Sequence, residues 1–322
     1  MRRRLIAGLT LALVASTVAA CGSDKDSGGS GTSSGGVDNV TVGIIPIIDV
    51  APIYLGQSKG FFKSRDIELK LEAGQGGAAI VPGVVSGQFQ FGFSNLTSLM
   101  VAQTKNVPVK VVAAGVSSTG EQGKDFGAVV VKGGSPIKTA KDLAGKKISV
   151  NTLKNIGDTA TRNSVRKAGG DDKSIDFVEM PFPTMQAALE GGQIDAAWVV
   201  EPQLSSIKAA GGREVASTFV DAAPDLTIAA YFTAQKLIAD KPDVVKRFTE
   251  AMNESMTYAD AHPDEVRQIL TAYTKIDDKT RAAVVLPKWP TEINKASVQT
   301  VADLGTQDGI FASAPDLGKL LP

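Results

Sequence analysis

Two periodic patterns of apolar and polar residues alternate along the first third of the chain. Four short segments are apolar and β-branched or alternate in polarity, as strands do; they are residues 40–48, 67–72, 89–93 and 109–115. Apolar residues recur at helical spacing in the intervening residues 51–62, 78–85 and 97–105. This order of strands and helices predicts a parallel sheet with right-handed crossovers.

The middle of the chain repeats the pattern. We predict strands and helices there in the same order: strands at 147–151, 176–179 and 196–200, helices at 158–168 and 184–190, and a last helix ending at Ala210. The Gly87-Gln88-Phe89 motif recurs 105 residues later as Gly192-Gln193-Ile194, and the strands containing Val42 and Ile148 are 106 residues apart. Matched spacings indicate two similar α/β lobes; unrelated α/β units of similar size are the alternative.

After residue 240 the pattern becomes helical. Helices are predicted at residues 242–261, 263–273 and 294–306. A helical tail of this length must pack on another part of the fold, and we expect it to return to the first lobe. The predicted organisation is lobe 1 at 39–126 plus 235–322 and lobe 2 at 127–234, with chain crossings near 120–130 and 225–237.

The beginning of the chain has a different composition. Arg2, Arg3 and Arg4 precede an apolar run that ends in Val18-Ala19-Ala20-Cys21, the order found in a secretory signal peptide. Cys21 is the only cysteine, and an unpaired thiol in a secreted protein usually has a task. We predict a lipoprotein signal peptide at 1–20, lipidation of Cys21 and a flexible Gly/Ser tether at 21–38. The alternative is that small residues precede the cysteine by chance.

Charge and cysteine content exclude other classes. Removal of the signal peptide leaves 31 basic against 34 acidic residues without a basic stripe, which argues against nucleic-acid binding. Once Cys21 is lipidated, no cysteine remains for a disulfide. We predict a monomer that is anchored by lipid to the extracytoplasmic face of the cell membrane, in the periplasm or at the outer surface according to the envelope type.

Candidate ligand-binding residues lie at the predicted strand ends. Ligands of open α/β sheets bind beyond the carboxyl ends of the strands, where loops lead into helices. The residues at those positions are small, polar or aromatic, and we predict that they form a shared cleft: Asp49, Gln75, Gly76, Gly77, Ser94, Asn95, Ser117, Ser118, Gly157, Asp158, Thr159, Trp198 and Glu201. Helix starts favour an anion, whereas the three acids favour a ligand with an amine or another hydrogen-bond donor.

These positions also have structural interpretations. Ser, Asn, Asp and Gly are the usual residues of helix caps and turns. Asp158 could cap its helix, and Glu201 could pair with a base. Trp198 could belong to the core or form a flat wall for the ligand.

Four long motifs resemble one family. They are GIIPIIDVAPIYLGQSKGFFKSRDIELKL (43–71), VPGVVSGQFQFGFSN (81–95), SPIKTAKDLAGKKI (135–148) and ALEGGQIDAAWVVEP (188–202). The chain is similar to the solute-binding lipoproteins of ABC importers of the nitrate, sulfonate and taurine type, which include binders of thiamine-pyrimidine precursors and aromatic acids. The resemblance implies an α/β, type 2 periplasmic-binding-protein-like fold, with a ligand cleft between two lobes and a helical C-terminal tail.

The resemblance also implies a function and partners. A small organic or oxyanion ligand would be captured and delivered to an ABC permease and ATPase. A sulfonate or taurine-like ligand is favoured, and an aromatic or pyrimidine ligand is the alternative. Asp49 departs from what we expect of a sulfonate binder, because a less acidic loop would suit an anion.

An enzyme is the competing class. The only histidine, His262, lies in the predicted tail, and the only cysteine precedes the fold. Cys–His or Ser–His pairs and His/Cys metal clusters are therefore not expected near the cleft. Asp49, Asp158 and Glu201 leave a carboxylate-dependent enzyme as a remote alternative. We expect a binding protein without catalytic residues, cofactor or metal.

Overall fold

The structure is a computed structural model that describes residues 36–322. The predicted signal peptide, Cys21 and most of the predicted tether lie outside the described residues. Within the described part there are ten strands: β1 (Asp38–Ile44), β2 (Ile67–Ala73), β3 (Phe91–Asn95), β4 (Val109–Ser117), β5 (Gly127–Val131), β6 (Lys147–Val150), β7 (Asp176–Glu179), β8 (Ala196–Val200), β9 (Arg213–Ala216) and β10 (Thr227–Ala234).

The same residues form thirteen α-helices and several short 3-10 helices. The α-helices are α1 (Ala51–Lys59), α2 (Gly77–Val85), α3 (Leu96–Thr104), α4 (Ile156–Lys167), α5 (Phe182–Glu190), α6 (Gln203–Ala209), α7 (Thr218–Ala222), α8 (Gln235–Asp240), α9 (Pro242–Ala261), α10 (Pro263–Ile269), α11 (Asp278–Ala283), α12 (Lys295–Gln307) and α13 (Leu317–Leu320).

The strands form two five-stranded sheets that match position by position. Sheet 1 has the order β2-β1-β3-β10-β4 and sheet 2 the order β7-β6-β8-β5-β9. The strands that occupy the central third position, β3 and β8, begin at residues 91 and 196, which is the spacing of the repeated Gly-Gln motif. The internal repeat predicted from the sequence therefore corresponds to two sheets of the same topology.

The prediction of purely parallel pairing is wrong at one position in each sheet. β1 runs parallel to β2 and β3, and β6 runs parallel to β7 and β8. β10 is antiparallel to β3 and β4, and β5 is antiparallel to β8 and β9. Each of these two strands is the first strand after the chain has crossed from the other sheet. The periodicity within one βαβ unit therefore does not reveal that the strand runs antiparallel.

β10 also differs from the lobe boundaries drawn from the sequence. Residues 227–234 are assigned to lobe 2 by that division, but Tyr231 pairs with Phe93 of β3 and Ala113 of β4 in sheet 1. The chain crosses to sheet 2 between β4 and β5 and returns between α7 and β10. The physical reason is that β10 is buried along its whole length between β3 and β4, so its backbone N–H and C=O groups pair with theirs.

The long helix α9 forms the main cover of sheet 1. Its buried positions, which include Val244, Phe248, Met252 and Ala259, follow the helical period and face α1 and β4. The Phe248 ring stacks on Phe91 with a centroid distance of 3.7 Å. None of the helices in residues 36–322 has the length and apolar composition needed to span a membrane.

The rest of the tail does not pack on the sheet 1 half alone. α12 contacts α3 and β10, but it also contacts α4, which lies on the sheet 2 half. α11 contacts α6, another helix of the sheet 2 half. The expectation that the tail simply returns to the first lobe is therefore incomplete, since the tail bridges both halves.

Candidate functional site

Two adjoining cavities lie between the carboxyl ends of the strands of the two sheets. The inner cavity has a volume of about 30 Å³ and the outer cavity about 120 Å³. Ile45, Ile47 and Phe182 line both of them. From the sheet 1 half the inner cavity is also lined by Asp49, Phe93, Asn95, Ile228 and Ala229, and from the sheet 2 half by Asn151, Ile156, Trp198, Val200 and Phe219.

The lining is mainly apolar and aromatic. Asp49, Asn95 and Asn151 are the polar side chains of the inner cavity, and Gln75 and Gln203 are those of the outer cavity. No Lys, Arg or His is among the described residues that line either cavity. The arrangement is suited to an apolar ligand with few polar groups, because directed polar contacts are few and the walls offer rings.

Asp49 is the only charged side chain among the described residues of this lining. It lies in the 3-10 helix Ile48–Val50 directly after β1 and is 3% exposed. Its Oδ1 has no hydrogen-bond partner among the described residues. Burial raises the pKa of Asp49 to about 7, its own backbone N–H lowers the pKa, and the charge of Asp125 raises it. None of these influences is a cation, so burial opposes ionisation of the carboxyl group and only its own backbone N–H favours it.

The starts of α3 and α4 join the two halves beside the inner cavity. Asn95 caps α3 by accepting a hydrogen bond from the Ser98 N–H (2.9 Å). Asn155 caps α4 and donates from Nδ2 to the Ser98 hydroxyl (2.9 Å). Asn155 is not among the residues predicted from the sequence, although an asparagine just before a helical pattern is a known cap signal.

Gly76 and Gly77 allow neighbouring side chains to lie close to the backbone at the start of α2. A β-carbon on Gly76 would lie 2.8 Å from Thr152 Oγ1 and 3.2 Å from Asn151 Nδ2, across the cleft. A β-carbon on Gly77 would lie 1.9 Å from Ser94 Oγ. The backbone of Gly76 is extended (φ −179°), and no side chain caps α2. At both positions a β-carbon would force the facing side chain to shift, and at Gly76 that side chain lies across the cleft.

Trp198 combines the two roles that the sequence leaves open. It lines the inner cavity, yet it is only 3% exposed and its Nε1 donates to Thr218 Oγ1 (3.1 Å). Gly157 lies beneath it, where a β-carbon would be 2.9 Å from the indole ring. Phe182 and Phe219 contact its ring. These two phenylalanines were missed, because an apolar ring in a core and one in a binding site look alike in a sequence.

Glu201 is not among the lining residues. Its buried Oε1 accepts hydrogen bonds from Ser205 Oγ (2.7 Å) and the Val285 N–H (3.1 Å), and its Oε2 accepts one from the Ser205 N–H (3.0 Å). Burial raises the pKa of Glu201, and these bonds lower it. Glu201 therefore links the first turn of α6 to the tail, and among the described residues it forms no salt bridge with a base.

Ser117 and Ser118 lie at the chain crossings and outside both linings. Ser118 Oγ donates to Asp125 Oδ2 (2.6 Å), and its N–H donates to the carbonyl of Leu226 (2.9 Å), which precedes β10. The two crossings are therefore bonded to each other at this position. Ser117 forms a backbone bridge with Lys288 of the tail.

Asp158 and Thr159 of α4 also lie outside the linings. Asp158 is 6% exposed, and its carboxyl group accepts a hydrogen bond from the Lys154 N–H (3.0 Å), just before α4 begins. This bond resembles the helix cap that the sequence suggests for Asp158. Burial raises the pKa of Asp158 to about 6. Thr159 donates to Asp308 beyond α12. Of the predicted residues, the linings contain Asp49, Gln75, Asn95 and Trp198.

Comparison with known proteins identifies similar chains. A family model described as NMT1/THI5 like matches residues 47–266. A binding protein from Brucella abortus is 26% identical over 246 residues, which cover 74% of this chain and 73% of that protein. The taurine-binding periplasmic protein of Escherichia coli is 30% identical over 195 residues, which cover 58% of this chain and 56% of that protein.

Solved structures share the fold. The alkanesulfonate-binding protein from Xanthomonas axonopodis pv. citri, bound to MOPS, has a TM-score of 0.73 at 15% identity, with 88% of this chain and 98% of that chain covered. A desulfurization enzyme has a TM-score of 0.64 at 15% identity, with 88% and 95% covered. At this identity the likeness shows the fold alone, which is the periplasmic-binding-protein fold expected from the sequence.

Proposed function

The chain belongs to the NMT1/THI5-like family, and from that premise we propose that it is the extracytoplasmic solute-binding protein of an ABC importer. It captures a small solute between its two halves and delivers it to a permease and an ATPase. The observation that carries the proposal is the pair of cavities at the strand ends, to which both sheets contribute walls. Ligands of open α/β sheets bind at this place.

A thermal-shift screen over sulfonates, nitrate, aromatic acids, pyrimidines and amines tests the proposal. A solute at 100 times its dissociation constant adds about 2.7 kcal/mol to the free energy of unfolding. Asn151→Leu, in the inner cavity, is expected to abolish the shift, whereas Asn253→Leu in α9 keeps it. A shift that survives Asn151→Leu unchanged would place the ligand elsewhere, and the absence of any stabilising solute would contradict a binding function.

An enzyme is the second candidate, because a desulfurization enzyme shares the fold. Here His262 stacks on Tyr258 at the junction of α9 and α10, with a centroid distance of 3.8 Å, and is not in the cavity lining. Asp158 and Glu201 likewise lie outside the lining, and so does Asp125, whose charge raises the pKa of Asp49, so the described lining holds no carboxylate other than Asp49. These positions support binding over catalysis. Turnover of a bound solute, followed by mass spectrometry, would favour the enzyme.

We also propose that lipid on Cys21 anchors the protein to the extracytoplasmic face of the membrane. The support is the sequence alone: a charged and apolar leader, small residues before Cys21 and a Gly/Ser segment after it. Labelled palmitate should enter the protein, and Cys21→Ala should remove both label and membrane retention. Normal processing and retention of Cys21→Ala would contradict the anchor.

The halves built on sheet 1 and sheet 2 are proposed to move as two lobes. The crossings β4–β5 and α7–β10 lie side by side and are bonded through Ser118 and Leu226, which is the arrangement of a two-strand hinge. X-ray scattering profiles with and without saturating solute should then differ, with the smaller radius of gyration in the bound state. Superimposable profiles would contradict closure.

A further inference from the structure

We propose that the solute is an apolar, ring-bearing organic amine or a similar N–H donor, and that Asp49 is the residue that selects it over sulfonates and nitrate. This inference rests on the proposed binding function and names the ligand class for the same site. It differs from the sulfonate or taurine-like ligand that the family resemblance favours. Three features of the cavities support it.

The first feature is the state of Asp49. The side chain is 3% exposed, lines the inner cavity and has an Oδ1 with no hydrogen-bond partner among the described residues. An uncompensated buried carboxylate is unfavourable unless a donor or a cation meets it. A protonated amine supplies both the charge and the N–H group, so binding would relieve the unfavourable burial.

The second feature is the absence of anything that would hold an oxyanion. No basic side chain is in the described lining of either cavity. The charged group that influences the pKa of Asp49 is Asp125, which is also an acid and would repel an anion when ionised. Where Asp49 is ionised, a sulfonate in the inner cavity would meet like charge in a low-dielectric site. In either protonation state of Asp49 the sulfonate would lose its hydration with no basic side chain of the described lining to replace it.

The uncapped start of α2 is the best alternative site for an anion. It lies beside Gln75 and the outer cavity. The interaction of an anion with a helix start alone is weaker than the interaction of a cation with a buried carboxylate. The described lining of the outer cavity contains no basic side chain that would strengthen anion binding. We therefore place the donor group of the ligand against Asp49.

The third feature is the shape and the surface of the site. The inner cavity, about 30 Å³, is large enough only for a small polar group, and the outer cavity, about 120 Å³, has room for a larger body. Phe182 lies in the wall of both, and Gln203 in the outer cavity has a buried Oε1 without a partner among the described residues. A ligand whose amine lies in the small inner cavity and whose ring lies in the larger outer cavity beside Phe182 matches these two volumes.

Three ligands with one ring and different charge test the inference. Calorimetry on the unchanged protein compares benzylamine, benzyl alcohol and benzenesulfonate, with phenethylamine, taurine and nitrate as further probes. We expect the two aryl amines to bind and benzenesulfonate, taurine and nitrate to bind at least about tenfold more weakly. This comparison does not depend on whether any variant folds.

Variants then assign the selectivity. Asp49→Asn is expected to weaken amine binding by about ten- to a hundredfold, as loss of a charge-assisted hydrogen bond does, and to leave benzyl alcohol unchanged. Asp158→Asn, which removes a buried acid outside the cavities, is expected to leave amine binding unchanged. Equal amine affinity in Asp49→Asn and the unchanged protein would overturn the role of Asp49.

The ligand class and the proposed function fail in different ways. Tighter binding of benzenesulfonate or nitrate than of the amines overturns the ligand class and leaves a binding protein. The same holds if no amine binds but another solute of the thermal-shift screen does. Failure of every solute in both experiments contradicts the binding function itself.

Discussion

Arg166 of α4 and Asp308 at the end of α12 form an ion pair with an N–O distance of 2.6 Å. The Asp308 side chain is 4% exposed and also accepts a hydrogen bond from Thr159. α12 at the same time contacts α3 and β10 of the sheet 1 half. The proposed opening of the cleft would therefore either move α12 with the sheet 2 half, away from α3 and β10, or break this ion pair.

Asp308→Asn is predicted to favour the open form. It leaves Arg166 with Asp172 as its remaining partner (2.7 Å). The loss of a charged hydrogen bond should lower the free energy of unfolding by about 1.5–3 kcal/mol and increase the radius of gyration without solute. Denaturant unfolding and X-ray scattering measure the two effects. Asp303→Asn, on an exposed face of the same helix, should change neither quantity. Equal effects in both variants would show that the Arg166–Asp308 ion pair does not hold the cleft closed.

Asp49→Asn is predicted to stabilise the protein without solute at alkaline pH. Burial raises the folded-state pKa of Asp49 from 3.8 to about 7, so the folded state binds the proton more tightly than the unfolded state. The stabilisation from that proton is complete below pH 4 and is lost as the pH rises through about 7. At 1.36 kcal/mol for each pKa unit, removal of the charge should add roughly 2–4 kcal/mol at pH 8.

Urea unfolding at pH 4, 6 and 8 measures this difference. The gain from Asp49→Asn should be absent at pH 4 and grow with pH. Asp158→Asn should show the same sign and a smaller gain, because its pKa is raised only to about 6. A pH-independent difference, or destabilisation at pH 8, would show that the Asp49 carboxylate is compensated.

Gly76→Ala is predicted to weaken solute binding more than stability. The new methyl group would lie 2.8 Å from Thr152 Oγ1 across the cleft, while the extended backbone tolerates alanine. Only the approach of the halves is obstructed, so affinity should fall about tenfold or more with little change in the melting temperature of the solute-free protein. Gly134→Ala, which has nothing within 4 Å of the added carbon, is the control. Unchanged affinity in Gly76→Ala would show that the halves do not approach at this point.

The sequence predicts the local elements well because their apolar periods are regular. β7 and β8 begin and end at the predicted residues, and α9 does as well. β5 and β10 are missed because pairing with residues distant in sequence creates these strands. Asp49 follows β1 and lines the inner cavity, a position that the strand pattern predicts, whereas the bond between Glu201 and Val285 joins residues 84 apart and leaves no local signal in the sequence.

The last prediction concerns the two tryptophans. Trp198 lines the inner cavity beside Phe182, so a bound ring should change its surroundings and shift its fluorescence. Trp289 is also near the site, since its Nε1 donates to the Asp49 carbonyl (3.1 Å), but it is not in the lining. We expect Trp198→Phe to remove most of the shift caused by solute and Trp289→Phe to retain it. The hydroxyl of Thr218 loses its donor in Trp198→Phe, which should lower stability by about 0.5–1.5 kcal/mol without abolishing binding. A shift that persists in Trp198→Phe and disappears in Trp289→Phe would mean that the ligand acts through the Asp49 turn and does not contact the Trp198 wall.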